Sequence, residues 1–271
     1  MQHEITSRAP LLDAAGNLRE AGYAKRLLPV YDRAAIRAGA ARIKEWDYYL
    51  VANDHYAVAL TIDDNGYMGL DSISFLHFDE RWEKTKSPMR AFPMGRTGLP
   101  ASSAAGDTVI NRKNYALSFR HEGGARVLTF HMEDFLDGLP VSGRIRLTDE
   151  PEESMVICTP FEKPGHFYYN QKINCLRARG TVTAAHRVES ITHRVARPQS
   201  PPYCRVNRAQ QVPPGMADSS TRVCATSVSW PRHSRHNPST AAGITNSRRA
   251  VKIQAFLSRT RAFKSPSPSC A

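Results

Sequence analysis

The sequence predicts a mainly β protein: an antiparallel meander that forms a partial sandwich or a barrel, with a short helical N-terminus and a disordered basic C-terminal tail. Three observations predict this class. Apolar and polar residues alternate at a period of two in short runs from Lys44 to about residue 184, as in strands with one buried face. Clusters of Gly, Asn and Asp separate many of these runs, as hairpin turns do. The composition then changes sharply after residue 180.

The N-terminal segment, residues 1–43, is predicted to hold turns and a short helix. A helix is expected after Pro29, with Asp32 near its start and Ile36 on its buried side. Gly39 keeps any helix here short, because glycine disfavours a helix interior.

Residues 44–189 form the predicted antiparallel β domain. Within it, the connection Ser87–Asp107 is long and rich in Pro and Gly, so it is either a lid over a site or a mobile loop. Strands are expected at Glu45–Val51, Tyr56–Ile62, 67–78, 115–119, 128–132, 141–147, Met155–Cys158, Phe167–Cys175 and Gly180–Ala184.

The tail, residues 190–271, is predicted to be non-globular. Fourteen of the 37 basic residues but only two of the 25 acidic residues follow Gly180, so this end carries the whole net charge of +12. Leu, Ile, Val and Phe make up about 15% of it, below the roughly 20% at which charged chains usually stay disordered. Three interpretations stay open: a basic arm that binds nucleic acid, a linker, or sequence translated out of frame from GC-rich DNA.

Several function classes find no support in the sequence. The chain shows no nucleophile elbow, no phosphate-binding glycine loop and no cysteine pair at zinc spacing. His131, Glu133 and Asp134 lie close together but lack a second histidine on the same face. We therefore expect no metal and no cofactor. Neither a secretory signal nor a run of eighteen apolar residues is present, so a cytoplasmic protein without a membrane span is expected.

The densest polar cluster predicts a ligand-binding face. In a strand, Asn170, Lys172 and Asn174 share one face, where Lys172 would hold an anionic group of a ligand. Trp46 and Tyr169 are the aromatic residues expected to contact the same ligand. The alternative is a strand whose polar side is solvated or pairs with loop backbone.

Glu45 and Asp47 are the candidate catalytic residues. They share one face of a predicted strand, and two carboxylates buried together could do acid–base chemistry because like charges separate their pKa values. If the face is exposed to solvent, the pair needs no functional explanation.

Five segments of the chain have a recognisable pattern: Ile43-Lys44-Glu45-Trp46-Asp47-Tyr48-Tyr49, Gly66-Tyr67-Met68-Gly69-Leu70, Phe92-Pro93-Met94-Gly95, Cys158-Thr159-Pro160-Phe161 and Phe167-Tyr168-Tyr169-Asn170-Gln171-Lys172-Ile173-Asn174-Cys175. Together they resemble the uncharacterised bacterial proteins grouped as domain of unknown function 2804, over about residues 1–189. Members of that group are longer and β-rich. The Trp-Asp-Tyr-Tyr segment is also similar, more loosely, to the lipocalin-like hydroxyneurosporene synthase group.

The resemblance ends where members continue with further strands and an Asp-Trp-Gly-Arg-Gly segment, which this chain lacks. That departure favours the out-of-frame interpretation of the tail. The resemblance implies a non-catalytic, lipocalin-like module that binds an apolar or amphipathic small molecule. It leaves open an enzyme that acts on an isoprenoid or lipid-like substrate in a hydratase-like reaction, and the tail adds nucleic-acid association as a further alternative.

Overall fold

The computed structural model describes residues 3–184 and the strands Arg187–Thr192 and Cys204–Gln211. All of them lie within one compact unit, Met1–Pro214. The mainly β, antiparallel class predicted from the alternation is confirmed. No helix among these residues has the length and apolarity needed to cross a membrane.

The described residues form sixteen strands and two 3₁₀ helices, Arg33–Ala35 and Ala40–Arg42. The strands are β1 (Ala9–Pro10), β2 (Gly22–Ala24), β3 (Pro29–Val30), β4 (Lys44–Ala52), β5 (Tyr56–Asp64), β6 (Met68–His77), β7 (Trp82–Lys86), β8 (Met89–Ala91), β9 (Thr108–Arg112), β10 (Tyr115–Glu122), β11 (Ala125–Leu136), β12 (Leu139–Thr148), β13 (Met155–Pro160), β14 (Phe167–Ala184), β15 (Arg187–Thr192) and β16 (Cys204–Gln211).

One long strand, β14, belongs to two sheets. Its first half pairs with β13 and β16, and its second half pairs with β12 and β15. The register shifts between Ile173 and Leu176, and Cys175 between them has a φ of 66°, a left-handed backbone typical of a bulge that bends a strand. The sequence predicted two strands here, and the structure joins them through this bend.

The two sheets follow one open path. The first runs β7-β6-β5-β4-β16-β14, and the second continues as β14-β12-β11-β10-β9. The path ends at β7 and β9 and does not close into a barrel. The fold is therefore the partial sandwich of the prediction and not its barrel.

The main core lies between the two sheets. Tyr49 of β4 packs on Phe119 of β10 with ring centroids 4.7 Å apart, and the buried apolar residues of both sheets form one cluster. A second core joins the N-terminal segment to β13 and β14, where Tyr31 stacks on Tyr169. The alternation at Val141, Ile145 and Leu147 faces the main core as predicted, since all three are fully buried.

The N-terminal helix is shorter than expected. Asp32 caps it as predicted, because its carboxylate accepts a 2.8 Å hydrogen bond from the Ala34 N–H. The helix is a single 3₁₀ turn, however, and a second turn follows Gly39. The rest of residues 3–43 consists of short strands, bridges and turns.

Part of the predicted tail is a strand. β16, residues 204–211, lies between β4 and β14 and pairs antiparallel with both. β15 crosses the predicted domain boundary at residue 190. Residues 193–203 and 212–271 lie outside the described residues, and the disorder proposed for them stays a prediction.

Candidate functional site

The predicted ligand-binding residues of β14 are buried, except for Asn174, which is half-buried. Asn170 donates a 2.7 Å hydrogen bond to the hydroxyl of Tyr168. The side-chain oxygens of Asn170 and Asn174 are buried without a hydrogen-bond partner among the described residues. The solvated alternative is therefore wrong for Asn170 and Lys172.

The structure aligns Trp46 with Asn170 but places Tyr169 elsewhere. Trp46 of β4 and Asn170 of β14 pair with the same β16 residue, Ala209, so they lie in one row on one face of the sheet. Tyr169 points to the opposite face, where its hydroxyl donates a 3.2 Å hydrogen bond to the carbonyl of Pro29. The five predicted ligand residues thus do not converge on one face.

Glu45 and Asp47 are both buried on the inner face of β4, so the solvent-exposed alternative is wrong. Glu45 accepts a 2.6 Å hydrogen bond from the Tyr31 hydroxyl and forms an ion pair with Arg33. Asp47 accepts a hydrogen bond from the Thr108 hydroxyl. Each carboxylate therefore has partners from a distant part of the chain.

A small polar cavity adjoins Asp47. Its volume of about 10 Å³ is that of roughly one water molecule. Pro100, Ser102, Ser103 and Gly106 of the long connection line it together with β-strand residues. The cavity holds no space for an organic ligand as it stands.

The long connection Ser87–Asp107 is tied to the sheets at several points. Asp64, which is fully buried, accepts hydrogen bonds of 2.8 Å from the Gly95 N–H and from the Thr97 hydroxyl. Ser103 donates to the side chain of Gln171. Part of the connection also forms β8, which pairs with β6. These contacts hold it against the sheets along most of its length.

An open cleft of about 650 Å³ lies at the ends of the two sheets. One wall comes from β7 and β8, and the other from the β9–β10 hairpin and β11. An ion pair of 2.8 Å between Lys86 and Asp134 joins the two walls. The lining residues are Lys86, Pro88, Met89, Arg90, Ala91, Arg112, Lys113, Asn114, Tyr115, Met132, Glu133 and Asp134.

A buried carboxylate lies behind the cleft. The Asp71 side chain is 0% exposed, and its Oδ2 accepts hydrogen bonds from Arg90 Nε at 2.7 Å and from the Tyr115 hydroxyl at 2.9 Å. Its Oδ1 is buried without a partner among the described residues. Arg90 and Tyr115 both line the cleft, so they separate Asp71 from any molecule bound there.

Burial shifts two pKa values in this region. Burial, reinforced by the negative charge of Asp71, raises the pKa of Tyr115 to about 12, so the phenol keeps its proton near neutral pH. Burial also raises the pKa of Asp63 to about 6, although hydrogen bonds from the Leu70 N–H and from Asn65 oppose the rise. Asp63 is connected to the same cluster because its carbonyl accepts a 2.6 Å hydrogen bond from Arg90.

The sequence analysis missed the cleft and its buried carboxylate. One signal for the buried carboxylate was present in β6. Asp71 lies at a buried position of the alternation, in a row with Gly69, Ile73 and Phe75. A single acid in such a row indicates a buried, paired carboxylate. For metal binding, the described residues contain no group of three or more His, Cys, Asp or Glu that could hold an ion.

A bent antiparallel sheet with a cleft at its open end defines an all-β protein of the partial-sandwich class. The match to the family described as Domain of unknown function (DUF2804) covers residues 2–198, and the chain belongs to that family. Neither the curated proteins nor the solved structures contain a match to this chain. The looser likeness to the hydroxyneurosporene synthase group stays a prediction.

Proposed function

We propose that the protein is a non-catalytic module that binds an apolar or amphipathic small molecule in the cleft. The observation that carries this proposal is the cleft itself. Its volume of about 650 Å³ lies within the roughly 300–1,000 Å³ typical of small-molecule sites. Its lining combines apolar side chains with six charged ones.

The apolar part of the cleft supports a ligand with an apolar body. Met89 is 68% exposed, although methionine is usually buried, and it lines the wall formed by β8. Met132 and the ring of Tyr115 lie at adjoining positions in the opposite wall. A flexible thioether adapts readily to ligand shape.

Titration of the full-length chain with the uncharged probe N-phenyl-1-naphthylamine tests the proposal. We expect saturable binding, and we expect Met89→Asp to weaken it about tenfold, the factor that 1.4 kcal/mol gives. Met155→Asp is the matched control, because Met155 is exposed but does not line the cleft. Flat titrations across a panel of apolar and amphipathic probes would contradict the proposal.

The row of Asn170, Lys172 and Asn174, with Trp46 and Tyr169, is the ligand site that the sequence proposed. None of these residues lines the cleft. If the ligand binds to that row instead, Asn170→Ala should weaken probe binding while Met89→Asp leaves it unchanged. The same titration therefore decides between the two locations.

A second candidate is an enzyme that adds water to an isoprenoid or lipid-like substrate. The burial of Glu45 and Asp47 on one strand face favours it, as does a cavity of one-water size beside Asp47. Glu45→Gln and Asp47→Asn should then abolish turnover of an identified substrate while its binding persists. Unchanged turnover in both variants would exclude the candidate.

Association with nucleic acid through the basic tail is a third proposal. Its support is the net charge of +12 that the chain carries beyond residue 180. Retention on DNA should fall steeply as salt rises to about 0.2 M. Deletion of residues 215–271, which keeps β16 and removes +8 of this charge, should weaken that retention strongly, and an unchanged retention would exclude the proposal.

A further inference from the structure

We propose that the ligand of the cleft is a single-chain amphiphile with an anionic head group, which Arg112 and Lys113 bind. This inference rests on the proposed function, because it names the chemical class of the molecule in the same cleft. It depends on which charges in the cleft already have partners and on where the exposed apolar side chains lie.

Two of the four basic residues in the cleft are already paired. Lys86 bonds to Asp134 at 2.8 Å, and Arg90 bonds to the buried Asp71 at 2.7 Å. Their charges are therefore largely neutralised by the protein itself.

Arg112 and Lys113 form no ion pair with any described residue. Glu133 is the remaining acid of the cleft and forms no ion pair in that part of the chain either. Two unpaired cations and one unpaired anion leave this end of the cleft positive, which favours an anionic partner.

The two cations lie at the tip of a hairpin. Arg112 ends β9 and pairs with Tyr115 of β10, so Lys113 and Asn114 form a two-residue turn. The Glu133 N–H donates a 2.9 Å hydrogen bond to the carbonyl of Asn114, which holds the tip against β11. A guanidinium and an ammonium group that line the same cleft from consecutive residues can contact a carboxylate, sulfate or phosphate together.

Exposed apolar surface lies on the other wall. Met89 is 68% exposed and lines the cleft together with Pro88 and Ala91 of the same wall. Apolar side chains that face unpaired cations across a cleft match a molecule with an apolar chain and an anionic head.

Three ligands of equal chain length test the head group. Each ligand is used below its micelle concentration to displace N-phenyl-1-naphthylamine from the full-length chain. We expect the apparent dissociation constant of dodecanoate to be about tenfold lower than that of dodecanol. Dodecylamine should bind most weakly. Raising the salt concentration should reduce the preference for dodecanoate, because exposed charges are screened.

Matched variants test whether Arg112 and Lys113 cause the preference for dodecanoate. Arg112→Gln combined with Lys113→Gln should remove the preference for dodecanoate over dodecanol. Arg8→Gln combined with Lys163→Gln removes the same charge from exposed positions outside the cleft, so it should keep the preference. A preference that survives the first pair of changes would overturn the assignment.

The outcomes separate the two proposals. Equal affinity for dodecanoate and dodecanol would overturn the anionic head group but keep the proposed function, whereas the absence of any probe binding would remove both. The same head-group chemistry also occurs in anionic phospholipids, so phosphatidylglycerol vesicles form a further arm. Co-sedimentation with vesicles, together with no binding of monomeric dodecanoate, would assign the site to a bilayer surface and overturn the single-chain ligand.

Discussion

The hydroxyl of Tyr115 in one sheet donates a 2.9 Å hydrogen bond to Asp71 Oδ2 in the other. Asp71 is fully buried and Arg90 donates to the same oxygen, so this contact connects the two sheets behind the cleft. It also fixes the ring of Tyr115, which forms part of the cleft wall.

Replacing Tyr115 with Phe removes one donor to a buried carboxylate. We expect the free energy of unfolding to fall by about 1–3 kcal/mol, the usual cost of leaving a buried acceptor without a partner. Urea unfolding measures it. Tyr67→Phe is the control, because Tyr67 is exposed, and it should change the free energy by less than about 0.5 kcal/mol. Equal effects of the two changes would show that the contact does not stabilise the fold.

Asp63 should make stability depend on pH in an unusual direction. Its folded pKa of about 6 exceeds the ordinary value of 3.8, so the folded protein holds this proton more tightly. The resulting stabilisation is fully present below about pH 4 and is lost as pH rises through about 6. The loss amounts to up to about 3 kcal/mol.

Urea unfolding of the wild type and of Asp63→Asn from pH 4 to pH 7 measures this loss, because the amide does not titrate. We expect the variant to gain stability relative to the wild type as pH rises. Asp13→Asn should show little change over this range, since hydrogen bonds from the Asn17 N–H and neighbouring N–H groups lower the pKa of Asp13, and its stabilisation is lost only below about pH 4. A constant difference between wild type and Asp63→Asn would contradict the raised pKa.

Loss of Arg126 and loss of Glu150, which form an ion pair, should lower the stability of the protein by different amounts. Arg126 is 3% exposed and donates three hydrogen bonds, of 2.8–3.0 Å, to Glu150. The Glu150 side chain, by contrast, is 44% exposed. Glu150→Ala leaves a buried cation with fewer partners, whereas Arg126→Met leaves a carboxylate that water can solvate.

We therefore expect Glu150→Ala to lower the free energy of unfolding by about 1–3 kcal/mol and by more than Arg126→Met does. Thermal or urea unfolding of both variants measures the order. The reverse order would mean that the Arg126 side chain contributes mainly through packing.

β14 and β12 lie too close together at Gly180 to leave room for a side chain. A Cβ at this position would lie 2.1 Å from the Arg144 carbonyl oxygen and 2.7 Å from the Ile145 Cα, and backbone atoms cannot easily move. Gly180→Ala should lower the free energy of unfolding by about 1–3 kcal/mol, as overpacking does. Gly39→Ala is its control, because no atom lies within 4 Å of the added Cβ. Similar melting temperatures for both variants would refute the close approach.

The sequence predicted the strands well because alternation is a local signal. It did not predict which side of β4 lies inside, since the charges of Glu45 and Asp47 argue against a buried face until their partners Tyr31, Arg33 and Thr108 are known. Those partners come from distant segments, and their position depends on the tertiary fold. Burial of polar residues on a strand therefore cannot be predicted from their spacing alone.

The cleft and β16 were missed for related reasons. The walls of the cleft come from strands at opposite ends of the sheet path, and no local pattern records that these ends approach each other. β16 reads Cys-Arg-Val-Asn-Arg-Ala-Gln-Gln, which has little apolar alternation. β16 is a strand because it pairs with the edges of β4 and β14. It can therefore be recognised only when the assembled sheet is known.

The position of β16 decides how the basic region should be trimmed in experiments. A chain cut at residue 190 would lose a strand that has neighbours on both sides, leaving a slot about 10 Å wide, twice the usual strand spacing. The exposed edges of β4 and β14 would each present unpaired backbone N–H and C=O groups to other molecules. Such a fragment is expected to precipitate or to recruit foreign strands, and its behaviour on DNA would then report on aggregation and not on the arginines.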